Sequence, residues 1–504
     1  MSERTRPLIA AVVALVLLLA AATVGWFTEW QRASEAEQRV AELEDRVEEL
    51  RSRLDTPESE GQAAPTPGDD AGDLLDGLLD GDGALGELLA GGVPGAACMT
   101  PEGGPLDGLL GGGPDQLPDD PDALVEVVAE QVAELRELAW EREVEVDFVD
   151  DAELSERLDV LLEEDVDRAA LDAEHRLLAA LRAVPDDLDL EELQRELLDE
   201  QVAGYYVPET GELVVRVPED GTIRPLDRVT LAHELEHALA DQALGLPEAS
   251  HDPDPQDADA RLGALALIEG DATLLMNLWA LQHLSLTEQL AGAMSGDLAA
   301  AQASLEALPH QLQRELLFPY TDGLDYVCEL YLDGGWPAVD ARYEEPPRTS
   351  VEVLHPERDG QAPQTPTPLS APTGGERLLR TTFGAAPLLW LFEAPGGDPA
   401  RGLDDARGRV AAWAGGTVTV WDLEGRTAVG LSLVDGGGDG ALCDSLTAWH
   451  TRTFGDHWRA GAEGARVFRG EDEAAVLRCE GDEVRYALSP DLPSALVIVA
   501  PPAP

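Results

Sequence analysis

The sequence predicts an α+β chain. A mainly helical body with a β-hairpin or small sheet is expected, then a small C-terminal α+β domain, with a transmembrane helix and a coiled coil ahead of both. Three observations carry this expectation. An uncharged apolar run, LIAAVVALVLLLAAATVGWF (8–27), opens the chain. Apolar residues then recur at helical spacing, first in a charged segment and later through the middle of the chain. β-rich runs appear around residue 204 and again beyond residue 410.

Size and charge set the outer limits. At 504 residues the chain is long enough for several domains. It carries 100 acidic and 34 basic residues, a net charge of −66, and every basic side chain is arginine. So acidic a chain repels anionic polymers, which excludes nucleic acid as a partner and argues against anionic lipid headgroups. Two explanations of the acidity stand side by side: a surface kept hydrated in high salt, and the amino-acid bias of a GC-rich genome.

Residues 1–27 are expected to be a cytoplasmic N-terminus and signal-anchor. About 20 apolar residues cross a bilayer as one helix. Arg4 and Arg6 hold the start of the run in the cytoplasm, and Trp26 and Trp30 suit the far interface. The body is then extracytoplasmic, on a single-pass protein of the cell membrane. The alternative is secretion after cleavage at an A-x-A site formed by Ala20 and Ala22. Residues 28–56 are expected to form a coiled coil. Ala33, Ala36, Val40, Leu43, Val47, Leu50 and Leu54 make a heptad seam, and Val at a with Leu at d favours a parallel homodimer. Residues 57–118, rich in Gly, Asp, Pro and Leu, bury too little surface to order themselves and are expected to be a disordered linker.

The body is placed at 119–374. Helical spacing runs over 122–140, then 143–150 (EVEVDFVD) alternates as a strand, and helices follow at about 151–163, 166–183 and 190–201. GYYVPETGELVVRV (204–217) is a hairpin around a Pro-Glu-Thr-Gly turn. Further helices are expected at about 226–243 and 264–281. The second is long enough for a membrane span, but it carries Glu269 and Asp271 and belongs in a core. HDPDPQDADA (251–260) is expected to cap that helix; calcium binding through its carboxylates is the weaker alternative. In the C-terminal domain, 375–504, strands are expected within 410–434 and 466–489 and a helix at 444–458. Outside the membrane Cys98, Cys328, Cys443 and Cys479 should be oxidised. Three pairings are open, of which Cys443 with Cys479 is the most natural and would leave Cys98 with Cys328.

The chemistry is concentrated in TLAHELEHALADQ (230–242). On a helix, residues four apart lie 40° apart and one turn along, so His233 and His237 project side by side. Glu234 sits on the flank of that face. This is the HExxH arrangement, in which the histidines bind zinc and the first glutamate is the general base. A catalytic zinc takes three protein ligands and keeps one position open. Glu269, in the apolar run ALALIEGDATLLMNLWAL (264–281), supplies the third, because a buried carboxylate needs a cation or a hydrogen-bond network.

HELEH followed by EGDA resembles the gluzincin clan of zinc metallopeptidases. More closely, the chain is similar to a group of bacterial zinc metallopeptidases that combine a GYYVPETGELVV-like hairpin with TLAHELEHALADQ, ALIEGDATLL and LFPYTDGLDYVCELYLDGGWPAVDARYEEPPRTSVEVLHPE (316–357). The similarity covers about 120 to 440 and weakens after 380. It implies a zincin-like body, with zinc held by His233, His237 and Glu269, Glu234 as base, and a peptide or protein as substrate. Gluzincins of the thermolysin type place an aspartate four residues after the third ligand; here that residue is Thr273. The carboxylate that orients a ligating histidine is then another, Asp241 or Asp271. The oxyanion donor is open among His355, Tyr205, Tyr206 and Tyr320. Two other functions are compatible with the sequence: a catalytically inactive envelope scaffold, and another zinc hydrolase such as an exopeptidase or a cell-wall amidase.

Overall fold

A computed structural model of the chain describes Gly95, Cys98 and residues 117–500. Short gaps fall at 119, 166, 209, 219, 252–253, 255, 286–287, 290–291, 293–295, 439 and 456. The expected transmembrane helix, coiled coil and most of the linker lie outside the described residues.

Helix α1 (Pro121–Arg136) is capped by the Asp120 side chain on the Ala123 amide and ends at Glu137, whose backbone is left-handed. That end falls four residues before the expected one at 140. Its buried stripe is Leu124, Val128, Val132 and Arg136. Strand β1 (Val146–Val149) follows, then α2 (Asp151–Asp165), α3 (Arg168–Ala180) and α4 (Leu190–Gln201). The hairpin is β2 (Gly204–Val207) and β3 (Glu212–Arg216), with Gly211 at φ +72 closing the turn. β3 pairs antiparallel with β2 and parallel with β1, so the small sheet has the order β1-β3-β2 and β2 is an edge. Helix α5 (Pro225–Ala243) carries HELEH and packs on β2, β3 and α1. Every residue of α5 from Val229 to Ala240 is buried, so the motif runs through the middle of the body rather than along its surface.

After a single helical turn at Glu248–His251, α6 (Ala258–His283) begins at Asp257, whose side chain accepts from the Ala260 amide. The acidic stretch before it therefore caps a helix. α6 is long and apolar enough to cross a membrane, but it is a buried core helix here. It packs against α5 and α8. α7 (Gly296–Ala307), α8 (His310–Gly334), α9 (Trp336–Glu344) and α10 (Ser350–Leu354) complete the body. α6 and α8 cross at glycine: a Cβ on Gly270 would run into the Gly323 carbonyl, and one on Gly323 into the Ala266 carbonyl. Only hydrogen at both positions permits this approach, and it sets the residue beside Gly270, Glu269, close to α8.

The C-terminal part is built on a seven-stranded antiparallel sheet in the order β4-β5-β6-β10-β9-β8-β7. In chain order its elements are β4 (Glu376–Thr382), α11 (Ala385–Glu393), α12 (Ala406–Val410), β5 (Trp413–Leu423), β6 (Arg426–Asp435), α13 (Ala441–Phe454), β7 (Arg459–Ala460), β8 (Arg466–Arg469), β9 (Ala474–Glu480), β10 (Glu483–Ser489) and α14 (Leu492–Ile498). The chain is thus a mixed α+β fold. Its sheet is not walled off: α3 packs on β4, β5 and β6, α11 packs on α8, and one apolar core runs through both parts. The disulfides are Cys98–Cys328 and Cys443–Cys479.

One contact at this junction titrates. Asp259, 3% exposed, accepts a hydrogen bond from Ser350 Oγ at 2.5 Å, and that oxygen in turn accepts from the Ala386 amide. Burial pushes the Asp259 carboxyl up to about 7, with Asp257 and Glu352 adding to it and Ser350 opposing. A carboxyl raised on folding binds more protons in the native state than in the unfolded one. Its penalty is absent below about pH 4 and grows as pH rises toward 7, to about 4 kcal/mol at most. Asp259→Asn keeps the acceptor for Ser350 and removes the charge. Between pH 5 and pH 8 its melting temperature is expected to fall less than that of the wild type; parallel curves would contradict this account.

Candidate metal centre

His233 and His237 lie one turn apart on α5, and Glu269 reaches them from α6. The two Nε2 atoms are 2.9 Å apart, and Glu269 Oε2 is 3.4 Å from that of His233 and 3.3 Å from that of His237. A tetrahedral ion with bonds of about 2.0–2.1 Å holds its ligands roughly 3.3 Å apart, so the triangle fits one zinc ion. The chemistry of the donors agrees. Glu269 Oε2 is fully buried with no hydrogen-bond partner, a costly state that a cation relieves. His233, His237 and Glu269 are the only group of this kind among the described residues.

Electrostatics bind the three together. Burial pushes His233 down to about 4, and the neighbouring His237 adds to it. Burial also opposes charge on His237, but Glu269 overturns this, helped by Glu234 and Glu236, and holds that ring up to about 10. Glu269 goes down to about 2: burial would raise it, and the two histidines more than offset that. A ligating histidine must be neutral, so taking up a metal expels a proton.

Glu234 stands on the same helix, 3% exposed, outside the ligand triangle. Burial pushes its carboxyl up to about 8, Glu269 adds to this and His237 opposes it. Strand β2 lies against it, since a Cβ on Gly204 would sit 3.3 Å from Glu234 Cγ. β2 is at its sheet's edge, and all four of its residues are buried.

The remaining expected site residues separate. Tyr320, on α8 beside the glycine crossing, is 2% exposed, and its phenol faces the charge of the Glu269 carboxylate. Burial first, then Glu269 and Glu234, push that phenol well above its ordinary value, so it stays a donor. Tyr205 is committed to Glu212 and Arg157, and Tyr206 donates to Asp241 at 2.7 Å. His355 sits in a turn, its Nε2 on the Arg407 carbonyl at 3.1 Å and its Nδ1 3.3 Å from Glu357. Asp241 and Asp271 do not orient the ligands either. Asp241 takes the Tyr206 hydroxyl, and Asp271 takes Arg136 and the hydroxyl of Tyr343 at 2.8 Å. Outside the triad, the carboxylate nearest one of its imidazoles is one that sequence reasoning passed over: Glu236, with Oε2 3.8 Å from His237 Nδ1.

No protein-family model matches the chain, and no curated protein or solved structure matches it significantly.

Proposed function

We propose that the chain is a membrane-tethered, extracytoplasmic zinc metallopeptidase that hydrolyses peptide bonds with Glu234 as general base. One observation carries the reading: two imidazoles and a carboxylate from neighbouring helices converge on a single point, with an uncommitted buried carboxyl next to it. The resemblance to gluzincins supports the same assignment.

Zinc, when bound, supplies a Lewis acid that acidifies a water molecule and polarises a carbonyl. His233, His237 and Glu269 would hold it. The Glu234 carboxylate accepts the proton of the attacking water and returns it to the leaving amine. Its raised affinity for a proton suits that exchange near neutral pH, although a nearby dication pulls it back toward the ionised form. Tyr320 is the one oxyanion-donor candidate at the site among the described residues. The N-terminal helix would tether the body to the membrane, the heptad seam would pair two chains, and the substrate is a peptide or protein.

The test is metal content and turnover together. The purified full-length chain should hold stoichiometric zinc and cleave members of a peptide library, losing cleavage on chelation and regaining it with zinc. A chain that takes up no zinc at neutral pH sinks the proposal. Tyr320→Phe should lower kcat by about 10- to 100-fold with KM and zinc content unchanged. Loss of zinc in that variant would instead make Tyr320 an orienter of Glu269.

A further inference from the structure

We propose that Arg136 is a positioning residue for the metal triad, acting through Glu236 and Asp271 to fix the two ligand-bearing helices against each other and to steady His237. The proposal rests on the zinc reading above. Arg136 closes α1 and is wholly buried. Its Nε donates to Asp271 Oδ1 at 3.1 Å and its Nη2 to Asp271 Oδ2 at 2.9 Å, a two-pronged pairing. Nη2 also lies 2.7 Å from Asp340 Oδ1, and Nε lies 3.7 Å from Glu236 Oε1. The Trp336 ring covers the guanidinium, 4.5 Å from its centroid, and that indole is itself held by the Leu135 carbonyl.

The placement of the partners is what matters. Glu236 stands between the two histidines on α5, and Asp271 stands two residues after Glu269 on α6. One planar cation therefore meets both helices that carry the triad, on the flank of α5 at Glu236 and on α6 at Asp271. Glu236 also faces His237 Nδ1 with its other oxygen, so the chain of contacts runs Arg136–Glu236–His237. Neither Glu236 oxygen has a hydrogen-bond partner, and both are buried. Among the described residues, Arg136 is the cation that pairs with Asp271 and also stands beside Glu236. Ordinary core packing would be served by an aliphatic residue at 136, as at Leu124, Val128 and Val132 on the same stripe. A wholly buried ion pair is weak evidence of stabilisation, and retaining one points to a requirement for geometry.

The experiment compares Arg136→Lys, Glu236→Gln, the double variant and, as control, Arg314→Lys. Arg314 is another part-buried ion-pair arginine, bonded to Glu393 and Asp322 and to none of the three triad residues. Zinc affinity of the full-length chain is read by chelator competition. Melting of the metal-free chain is read alongside, and the visible spectrum of the cobalt-loaded chain reports ligand geometry. Each single variant at 136 or 236 should weaken zinc by about 10- to 100-fold and alter the cobalt spectrum. The double variant should lose no more than about twofold beyond the worse single one, because both act on one path. Arg314→Lys should hold zinc within about twofold of the wild type. Glu236→Gln with wild-type zinc affinity overturns the proposal, and so does an equal loss in Arg314→Lys. If Arg136→Lys does not fold, Glu236→Gln decides alone. A wild-type chain that binds no zinc overturns the underlying reading instead, which the wild-type measurement shows by itself.

Discussion

Replacing Glu234 by Gln is expected to leave zinc bound and to lower kcat by about 10²- to 10⁴-fold, the range that a positioned acid–base group contributes. The amide has the shape of the carboxylate and sits in the same buried place on α5, so the fold and the ligand triangle should survive. What it cannot do is accept a proton. Glu234 is not one of the atoms that converge on the metal point, and its loss should therefore separate chemistry from metal binding. Turnover of a peptide substrate and zinc content, measured on the same preparation, give the result. Wild-type turnover in Glu234→Gln would remove Glu234 as the base, and no turnover in either chain would leave the scaffold reading standing.

Glu269→Gln should do the opposite and take the metal away. Glutamine lacks the charge that holds His237 protonated and that a zinc ion would meet. The zinc dissociation constant is expected to rise by more than about 100-fold, beyond what loss of an outer partner costs. The variant can fold, because the helix crossing beside it depends on Gly270 and Gly323, not on the carboxylate. Zinc at 1,000 times its dissociation constant stabilises the wild type by about 4 kcal/mol, and the variant at the same concentration should gain no more than about 1.4 kcal/mol. Melting curves with and without zinc read this directly. Equal stabilisation of the two chains would mean that the carboxylate from α6 is not a ligand.

The convergence of His233, His237 and Glu269 was legible because its spacing is local physics. Two histidines four apart on one helix must face the same way, and a carboxylate inside an apolar helix must find a cation. The oxyanion donor was not legible: Tyr320 earns its place through the glycine crossing of α6 and α8, a contact between segments about fifty residues apart. His355 drew attention through the turn around it, and the turn is what its ring serves. Asp271 was a candidate, with Asp241, to orient a ligating histidine; its partner is Arg136. The signal for that lay in α1, where an apolar stripe at four-residue spacing ends in an arginine at position 136. In the C-terminal part the strands at Trp413–Leu423 and Arg426–Asp435 follow from alternation and a Glu-Gly turn. The placement of β10 between β6 and β9 does not, since no local pattern states which distant strands pair.

The Cys98–Cys328 bond changes how the molecule would carry a load. Cys98 precedes α1, yet it is fastened to the middle of α8, and the Gly95 amide bonds Asp325 one turn earlier. A pull on the chain ahead of Cys98 would enter the body at that weld. It would not peel α1 away first. The helix bearing Arg136 is thereby shielded from traction, and strain reaches the rod that holds Tyr320 instead.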